Sequence, residues 1–78
     1  MLLDVIVLTP NKILFEGKAR NMIAPGEQGV FEILPFHKPI LSRLISGIMF
    51  IEERIFPIQR GIIKVNHNRV TVVMEEKE

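Results

Sequence analysis

The sequence has no cysteine, and this absence excludes disulfide frameworks, zinc sites built on thiolates and cysteine nucleophiles. A chain of 78 residues is close to the smallest size at which one hydrophobic core is sufficient, so packing alone must hold it together. A strong excess of one charge is also missing, because ten Lys/Arg and nine Asp/Glu leave a net charge of +1. This balance gives no indication of electrostatic binding to nucleic acid or to an anionic membrane.

Long hydrophobic runs are missing as well. Residues 44–51 form the longest one, which Ser46 and Gly47 interrupt, whereas a membrane-spanning helix needs about 18 or more consecutive apolar residues. Residues 1–4 lack the basic region and the small-residue cleavage site of a signal peptide. Hydrophobic residues nevertheless make up 47% of the chain, which is more than so small a core can bury. We therefore expect part of the apolar surface to contact a partner.

Residues that commonly carry catalysis are few. His37 and His67 are the only histidines, and no His-x-x-x-His or His-Glu-x-x-His spacing is present. Ser42 and Ser46 are the only serines, and neither lies in a Gly-x-Ser-x-Gly turn. A small hydrolase that uses His37 and His67, with or without zinc, is one alternative hypothesis, but the pattern predicts neither a catalytic site nor a metal site.

Short apolar segments separated by Pro, Gly and Asn turn signals follow one another along the chain, and none has a helical period. Strands are predicted over residues 2–9, 13–16, 18–24, 30–34, 40–45, 48–51, 55–59, 62–65 and 70–74. Gly17 is expected to end the second strand, and Pro57 to place its strand at a sheet edge or a bulge. The pattern predicts an all-β fold, either a β-sandwich or a small barrel.

Residues 25–41 combine a glycine turn, a short apolar strand and a loop bracketed by Pro35 and Pro39. Because proline fixes φ, this loop is predicted to be stiff and to serve as a fixed contact surface. The residues that it presents are Phe36, His37 and Lys38.

All five aromatic residues are phenylalanines, and we expect Phe36 to be the exposed one. The other four are predicted to lie in the core: Phe15, Phe31, Phe50 and Phe56. Surfaces that stack bases interleave aromatic residues with Lys and Arg on one exposed face, and this pattern is missing here. A stand-alone β-barrel that binds single-stranded nucleic acid is a second hypothesis, although this face is missing. Binding to nucleic acid that falls steeply with salt would support it.

The stretch around the two prolines resembles a known family. Its glycine turn is followed by a short apolar strand and then by Leu34-Pro35-Phe36-His37-Lys38-Pro39-Ile40-Leu41. This arrangement is similar to the N-terminal domain of the epsilon subunit of F-type ATP synthases, which is called delta in mitochondria. The similarity extends over residues 2–74, from the opening strand to the closing Asn-x-Val-Thr-Val pattern at residues 68–72.

The resemblance implies a flattened β-sandwich or barrel of about ten short strands. It implies a single domain over residues 1–78 that lacks the C-terminal pair of helices found in most members. The implied role is a non-catalytic subunit of the rotor's central stalk, with no cofactor or metal, that couples the gamma subunit to the c-ring during proton- or sodium-driven ATP synthesis. The implied location is the cytoplasmic face of the bacterial inner membrane, as part of the complex, with neither nucleic acid nor a second copy as partner.

Family matching assigns two contact sites. The expected gamma-subunit contacts are Thr9, His37 and Ser42, and the expected c-ring contacts are Gln28, Gly29 and Val30. Val30 and Glu32 stand where many members have an acidic residue and a glycine, so the c-ring contact is expected to be less ionic. Arg60-Gly61 stands where the family usually has two glycines.

Overall fold

The computed structural model describes residues 1–77, which form eight β-strands and no helix. The strands are β1 Leu3–Leu8, β2 Ile13–Ala19, β3 Met22–Gly26, β4 Gly29–Ile33, β5 Ile40–Leu44, β6 Gly47–Ile51, β7 Arg54–Asn66 and β8 Arg69–Glu76. The predicted all-β class is confirmed. The structure has eight strands, whereas the resemblance implies about ten and the sequence pattern predicts nine. Two of the nine predicted segments are one continuous strand.

The strands pair in the order β2-β1-β8-β7-β5-β3-β4, and β6 pairs with both β3 and β7. Only β1 and β8 are parallel among these pairs; the others are antiparallel. The first half of β7 pairs with β6, and its second half pairs with β5 and β8. β7 therefore joins the two halves of the fold.

The length of β7 depends on a bulge between Ile58 and Arg60 in its pairing with β8. Phe56 and Ile58 are buried before the bulge, and Ile63 and Val65 are buried after it. In a regular strand these two pairs would face opposite sides, because successive side chains alternate between the two faces. The extra residue at the bulge shifts this alternation by one, so that both pairs face the core. The separate strands predicted over residues 55–59 and 62–65 are therefore one strand. The bulge lies close to Pro57, for which the sequence predicts a sheet edge or a bulge.

The prediction that Gly17 ends the second strand is wrong. Gly17 pairs with Val5 inside the β1–β2 ladder, and the chain turns only after Ala19. Two hydrogen bonds from a distant turn hold this reversal: the Arg20 N–H donates to Glu52 Oε2 at 2.7 Å, and the Glu52 N–H donates to the Asn21 carbonyl at 3.2 Å. The partner residue is remote in sequence, so no local pattern indicates this turn.

Inward-facing apolar side chains from all the strands form the core, and within the described residues no polar or charged residue is buried. The fully buried members include Leu3, Met22, Ile33, Met49, Ile51, Ile58, Ile63, Met74 and Val72. Of the four phenylalanines predicted to lie in the core, Phe56 is buried and Phe15 and Phe31 pack partly buried against it. The prediction is wrong for Phe50, because its neighbours Met49 and Ile51 take the inward positions of β6.

Candidate protein-contact surfaces

The strands have two ends, which hold different candidate sites. One is the β3–β4 end, where the turn after Gly26 lies and where β1 finishes at Leu8. The other is the β7–β8 end, named after the turn between Asn66 and Arg69. β5 runs from the second end, where Ile40 pairs with Val65, to the first, where Leu44 pairs with Gly26.

The three predicted c-ring residues lie together at the tip of the β3–β4 turn. Gln28 and Gly29 are exposed, and 71% of Val30 is accessible to solvent. Gly29 has φ +123°, a conformation that residues with a side chain rarely adopt, so glycine is required there. The turn is thus a well-defined projection that carries one apolar side chain into solvent.

Ser42 lies close to this turn rather than to the other two predicted gamma contacts. It occupies the same face of β5 as the buried Leu44 and lines an open cavity of about 440 Å³ together with Gln28, Gly29 and Val30. Its hydroxyl donates to the Arg43 carbonyl at 3.1 Å. The structure therefore brings a predicted gamma contact next to the predicted c-ring contacts.

Thr9 and His37 lie at opposite ends of the strands. Thr9 follows β1 at the β3–β4 end, and its Oγ1 accepts hydrogen bonds from the N–H groups of Asn11 and Lys12 at 3.3 and 3.1 Å. Its side chain therefore holds the β1–β2 turn. His37 lies in the loop before β5 at the β7–β8 end. The three predicted gamma contacts span the length of the domain and do not form one compact cluster.

The loop that carries His37 is held by hydrogen bonds at three points. The His37 N–H donates to the Leu34 carbonyl at 3.1 Å, and the ring Nδ1 lies 2.7 Å from the Lys38 carbonyl. Since a carbonyl only accepts, Nδ1 carries the proton in this contact. The Phe36 N–H donates to Asn68 Oδ1 at 2.6 Å, which ties the loop to the β7–β8 turn. The stiffness that the prolines predict thus has a specific structural origin.

An apolar row crosses the outer face of four strands, and sequence reasoning missed it. Ile13, Leu8, Val73 and Ile62 are successive partners across β2, β1, β8 and β7. Ile62 and Val73 are 50% and 49% exposed. With Ile45 they line an open groove of about 660 Å³. The row is formed by register between distant strands, which the linear sequence does not display.

A second apolar surface lies on the outer face of β3, β6 and the first half of β7. Ile23 pairs with Phe50, and Phe50 pairs with Ile55, which is 60% exposed. Ile48 and Pro57 form the adjacent cross-strand pair and are exposed too. Both outer faces of the fold therefore carry apolar side chains in contact with solvent.

The two histidines lie at the same end of the domain, since the loop with His37 is hydrogen-bonded to the turn that holds His67 and Asn68. Across residues 1–77, however, no three or more His, Asp or Glu side chains come together as a group that could hold a metal ion. The described chain also contains no helix of the length and apolarity needed to cross a membrane.

Ion pairs lie on the exposed surface. The shortest joins Lys18 Nζ to Asp4 Oδ1 at 2.6 Å across the β1–β2 ladder. The hydrogen bond from Lys18 and then its charge hold the pKa of Asp4 below the ordinary 3.8, while slight desolvation acts in the opposite direction and Arg69 lowers it further. Exposed pairs of this kind contribute little to stability and indicate no catalytic acid or base.

A small all-β domain with a fully apolar core, two apolar outer faces and a stiff projecting loop has the features of a protein-contact module. Its relatives are specific. The chain belongs to the family described as "ATP synthase, Delta/Epsilon chain, beta-sandwich domain", whose match covers residues 2–78.

Individual relatives agree with this assignment. The chain is 31% identical over 77 residues to the ATP synthase epsilon chain of Leptospira interrogans, covering 94% of this chain and 61% of that one. It is 35% identical over 75 residues to the ATP synthase epsilon chain of Chlorobaculum tepidum, covering 90% and 85%. The chain thus spans about three fifths of the length of the Leptospira interrogans relative and most of the length of the Chlorobaculum tepidum relative.

Two solved structures share the fold. A chain in the OSCP/F1/c-ring structure of Euglena gracilis mitochondrial ATP synthase matches with a TM-score of 0.87 at 15% identity, covering 94% of this chain and 50% of that one. A chain in the central stalk/c-ring structure of Tetrahymena thermophila mitochondrial ATP synthase matches with 0.78 at 20% identity, covering 95% and 63%. At these identities the likeness shows that the fold is the same.

Proposed function

We propose that this chain is a non-catalytic central-stalk subunit of an F-type ATP synthase, which couples the gamma subunit to the c-ring during ion-driven ATP synthesis. The observation that carries the proposal is the family match over residues 2–78, with relatives that are named ATP synthase epsilon chains. Residues 1–78 act in it as one β-sandwich domain. The complex is peripheral to the membrane, on the cytoplasmic side in a bacterium.

The physical properties of the domain suit this role. A subunit that passes torque between two partners must resist deformation, and this one has a core without buried polar groups and strand pairing across the whole fold. It must also attach firmly on more than one side. The apolar row on β2, β1, β8 and β7 and the apolar surface on β3, β6 and β7 supply area that a partner can desolvate.

We assign the contacts as the family pattern implies. The β3–β4 turn, with Gln28, Gly29 and Val30 at its tip, contacts the c-ring. Thr9, His37 and Ser42 contact the gamma subunit. Because Ser42 shares a cavity with the turn residues, it lies where the two contacts adjoin, whereas His37 lies at the far end of β5.

Co-purification with gamma is the direct experiment. The full chain and the gamma subunit of the same organism should elute from a sizing column as one complex at physiological salt. A fluorescent single-stranded oligonucleotide serves as the control ligand, and we expect no salt-sensitive binding to it. Separate elution of the two proteins under all salt conditions would overturn the proposal.

A further inference from the structure

We propose that Phe36 is the aromatic anchor of the gamma contact, and that its ring enters an apolar pocket with an acidic rim on the gamma subunit. This inference rests on the proposed function and adds a specific contact to it. Phe36 precedes His37 in the loop before β5, and 74% of it is exposed to solvent.

The backbone of Phe36 is in an unfavourable conformation. Its φ is +68°, in the left-handed region where glycine is favoured and a bulky side chain is an outlier. The ring does not compensate for this, because it extends into solvent instead of packing against the core. Folding of the domain alone therefore gives no reason for phenylalanine at this position. Such strained, exposed residues occur where a contact outside the domain uses them.

The loop holds Phe36 in place before any partner arrives. Its N–H donates to Asn68 Oδ1 at 2.6 Å, and the carbonyl of Asn68 accepts from the Asp4 N–H at 2.8 Å, so the loop is linked through one residue to β1. Asn68 itself has φ +60°, which asparagine tolerates well. Pro35 fixes the backbone directly before the ring. An aromatic side chain that is already ordered loses little conformational entropy on binding, which favours an anchor.

The charges around Phe36 indicate the character of the partner surface. Lys38, Lys64 and Arg69 lie at this end of the strands, on the loop, on β7 and at the start of β8. Neither residues 33–51 nor residues 54–74 contain an aspartate or glutamate. Two acidic residues adjoin this surround: Asp4, whose carboxylate is paired with Lys18, and Glu32, which is exposed on β4 before the loop. An apolar tip within a basic surround fits an apolar pocket whose rim is acidic.

A protein pocket fits these observations better than a lipid surface. A fluid bilayer accepts an aromatic ring in many orientations, so it gains nothing from a loop that fixes one. A pocket of defined shape does gain, because only one orientation of the ring fills it. Leu34 in the same loop and Leu41 in β5 are also exposed, at 48% and 73%, and add apolar surface at this end of the domain.

The test measures affinity and stability on the same variants. Phe36→Ala removes the ring and keeps the strained backbone, and Phe36→Gly removes both. We expect the Kd of the full chain for the gamma subunit to rise about tenfold or more in each variant. The Tm should be unchanged for the alanine variant and higher by about 4 °C for the glycine variant. Leu2→Ala, which truncates an exposed apolar residue before β1 that belongs to no assigned contact, is the control and should leave the Kd unchanged.

Each other outcome has a definite meaning. An unchanged Kd in both Phe36 variants overturns the anchor but leaves the proposed function intact. A lower Tm for the glycine variant also overturns it, because the ring would then stabilise the domain. Failure of the wild-type chain to bind gamma removes the proposed function and the anchor together. The same variants are also tested on vesicles of equal parts phosphatidylcholine and phosphatidylglycerol. If Phe36→Ala and Phe36→Gly lose vesicle binding that the wild type shows but keep gamma binding, Phe36 belongs to a lipid surface and the inference is overturned.

Discussion

Gly61 lies against the backbone of Val73 so closely that no side chain fits between them. A Cβ atom on Gly61 would fall 2.7 Å from the carbonyl oxygen of Val73 and 3.0 Å from Cβ of Met74. Real Cβ atoms essentially never come this close to backbone atoms, so an added methyl group would force β7 and β8 apart. The approach occurs next to the bulge after Ile58, where the pairing of the two strands changes register.

We therefore predict that Gly61→Ala lowers the free energy of unfolding by about 1–3 kcal/mol. Urea denaturation followed by circular dichroism measures it. Gly17→Ala is the matched control, because a Cβ atom there would meet only Phe15 ring atoms, the nearest at 3.5 Å, which is ordinary van der Waals contact. That variant should lie within about 0.5 kcal/mol of wild type. Equal destabilisation by the two would show that Gly61 is not special.

The guanidinium of Arg54 lies over the rings of Phe15 and Phe56. Its guanidinium carbon lies 5.2 Å and 5.8 Å from the two ring centroids, and the rings meet edge to face with centroids 6.1 Å apart. We predict that Arg54→Met lowers stability by about 0.5–1 kcal/mol, since it keeps much of the apolar stem but loses the cation–π attraction. Arg54→Ala should cost more because the stem is lost too. Urea unfolding at low and high salt checks this, and identical stability of wild type and Arg54→Met would contradict it.

Much of the fold follows from local patterns in the chain. Short apolar runs bounded by turn signals place β1 and β8 within two residues of their observed ends. The Asn-containing sequence after β7 gives the turn at positions 67 and 68, where both residues have positive φ. The Pro35 and Pro39 pair predicts a stiff loop, and hydrogen bonds to Leu34 and Asn68 provide it. These features depend on neighbours in sequence.

The features that the sequence did not reveal depend on distant partners. Phe50 resembles a core residue in its segment, but the inward positions of β6 belong to Met49 and Ile51 once β6 pairs with β3 and β7. The apolar row that includes Ile62 and Val73 exists only because those strands are in register. The positive φ of Phe36 could not be predicted either, since phenylalanine gives no signal for it.

The Asp4–Lys18 pair predicts a specific dependence of stability on pH. The lowered pKa of Asp4 means that its carboxylate is favoured in the folded state relative to the unfolded one. Its contribution is therefore fully present above the ordinary pKa of 3.8 and is lost as the pH falls through the lower folded value. We expect Asp4→Asn to have a slightly lower Tm than wild type at neutral pH, and the difference to disappear in this acid range.

Nuclear magnetic resonance of the Asp4 carboxyl carbon gives the pKa directly. Lys18→Met removes both the donor and the charge, so the pKa of Asp4 should rise toward its ordinary value in this variant. Salt should reduce the difference between wild type and variant, because the pair is exposed. An Asp4 pKa that is the same with and without Lys18 would contradict the assignment.

Val30 at the tip of the β3–β4 turn offers a test of the proposed c-ring contact. Because its side chain is largely exposed, Val30→Ala should change the stability of the isolated domain by less than about 0.5 kcal/mol. In the assembled complex we expect weaker attachment to the c-ring, by about tenfold if the side chain is a central contact. Ion pumping per ATP hydrolysed in reconstituted vesicles measures the coupling. Leu2→Ala, an exposed truncation before β1 and outside the assigned contacts, is the control; equal loss of coupling in both variants would count against the turn.

His37 offers the clearest test of the proposed gamma contact. His37→Asp places an anion in a contact that the partner desolvates, and the loop around it is otherwise basic. We predict at least about a tenfold loss of affinity for gamma, with folding retained, because the partly exposed ring contributes only its hydrogen bond to the Lys38 carbonyl. Isothermal calorimetry and thermal unfolding on the same samples separate the two effects.

Lys77→Gln makes the same one-unit change toward negative charge at the opposite end of the strands and outside the assigned contacts, and it should leave gamma affinity unchanged. If His37→Asp unfolds the domain at the temperature of the binding experiment, His37 is a structural residue that holds the loop. If both variants weaken gamma binding equally, the effect is one of net charge. Only a loss confined to His37→Asp, in a folded protein, supports a gamma contact at the β7–β8 end.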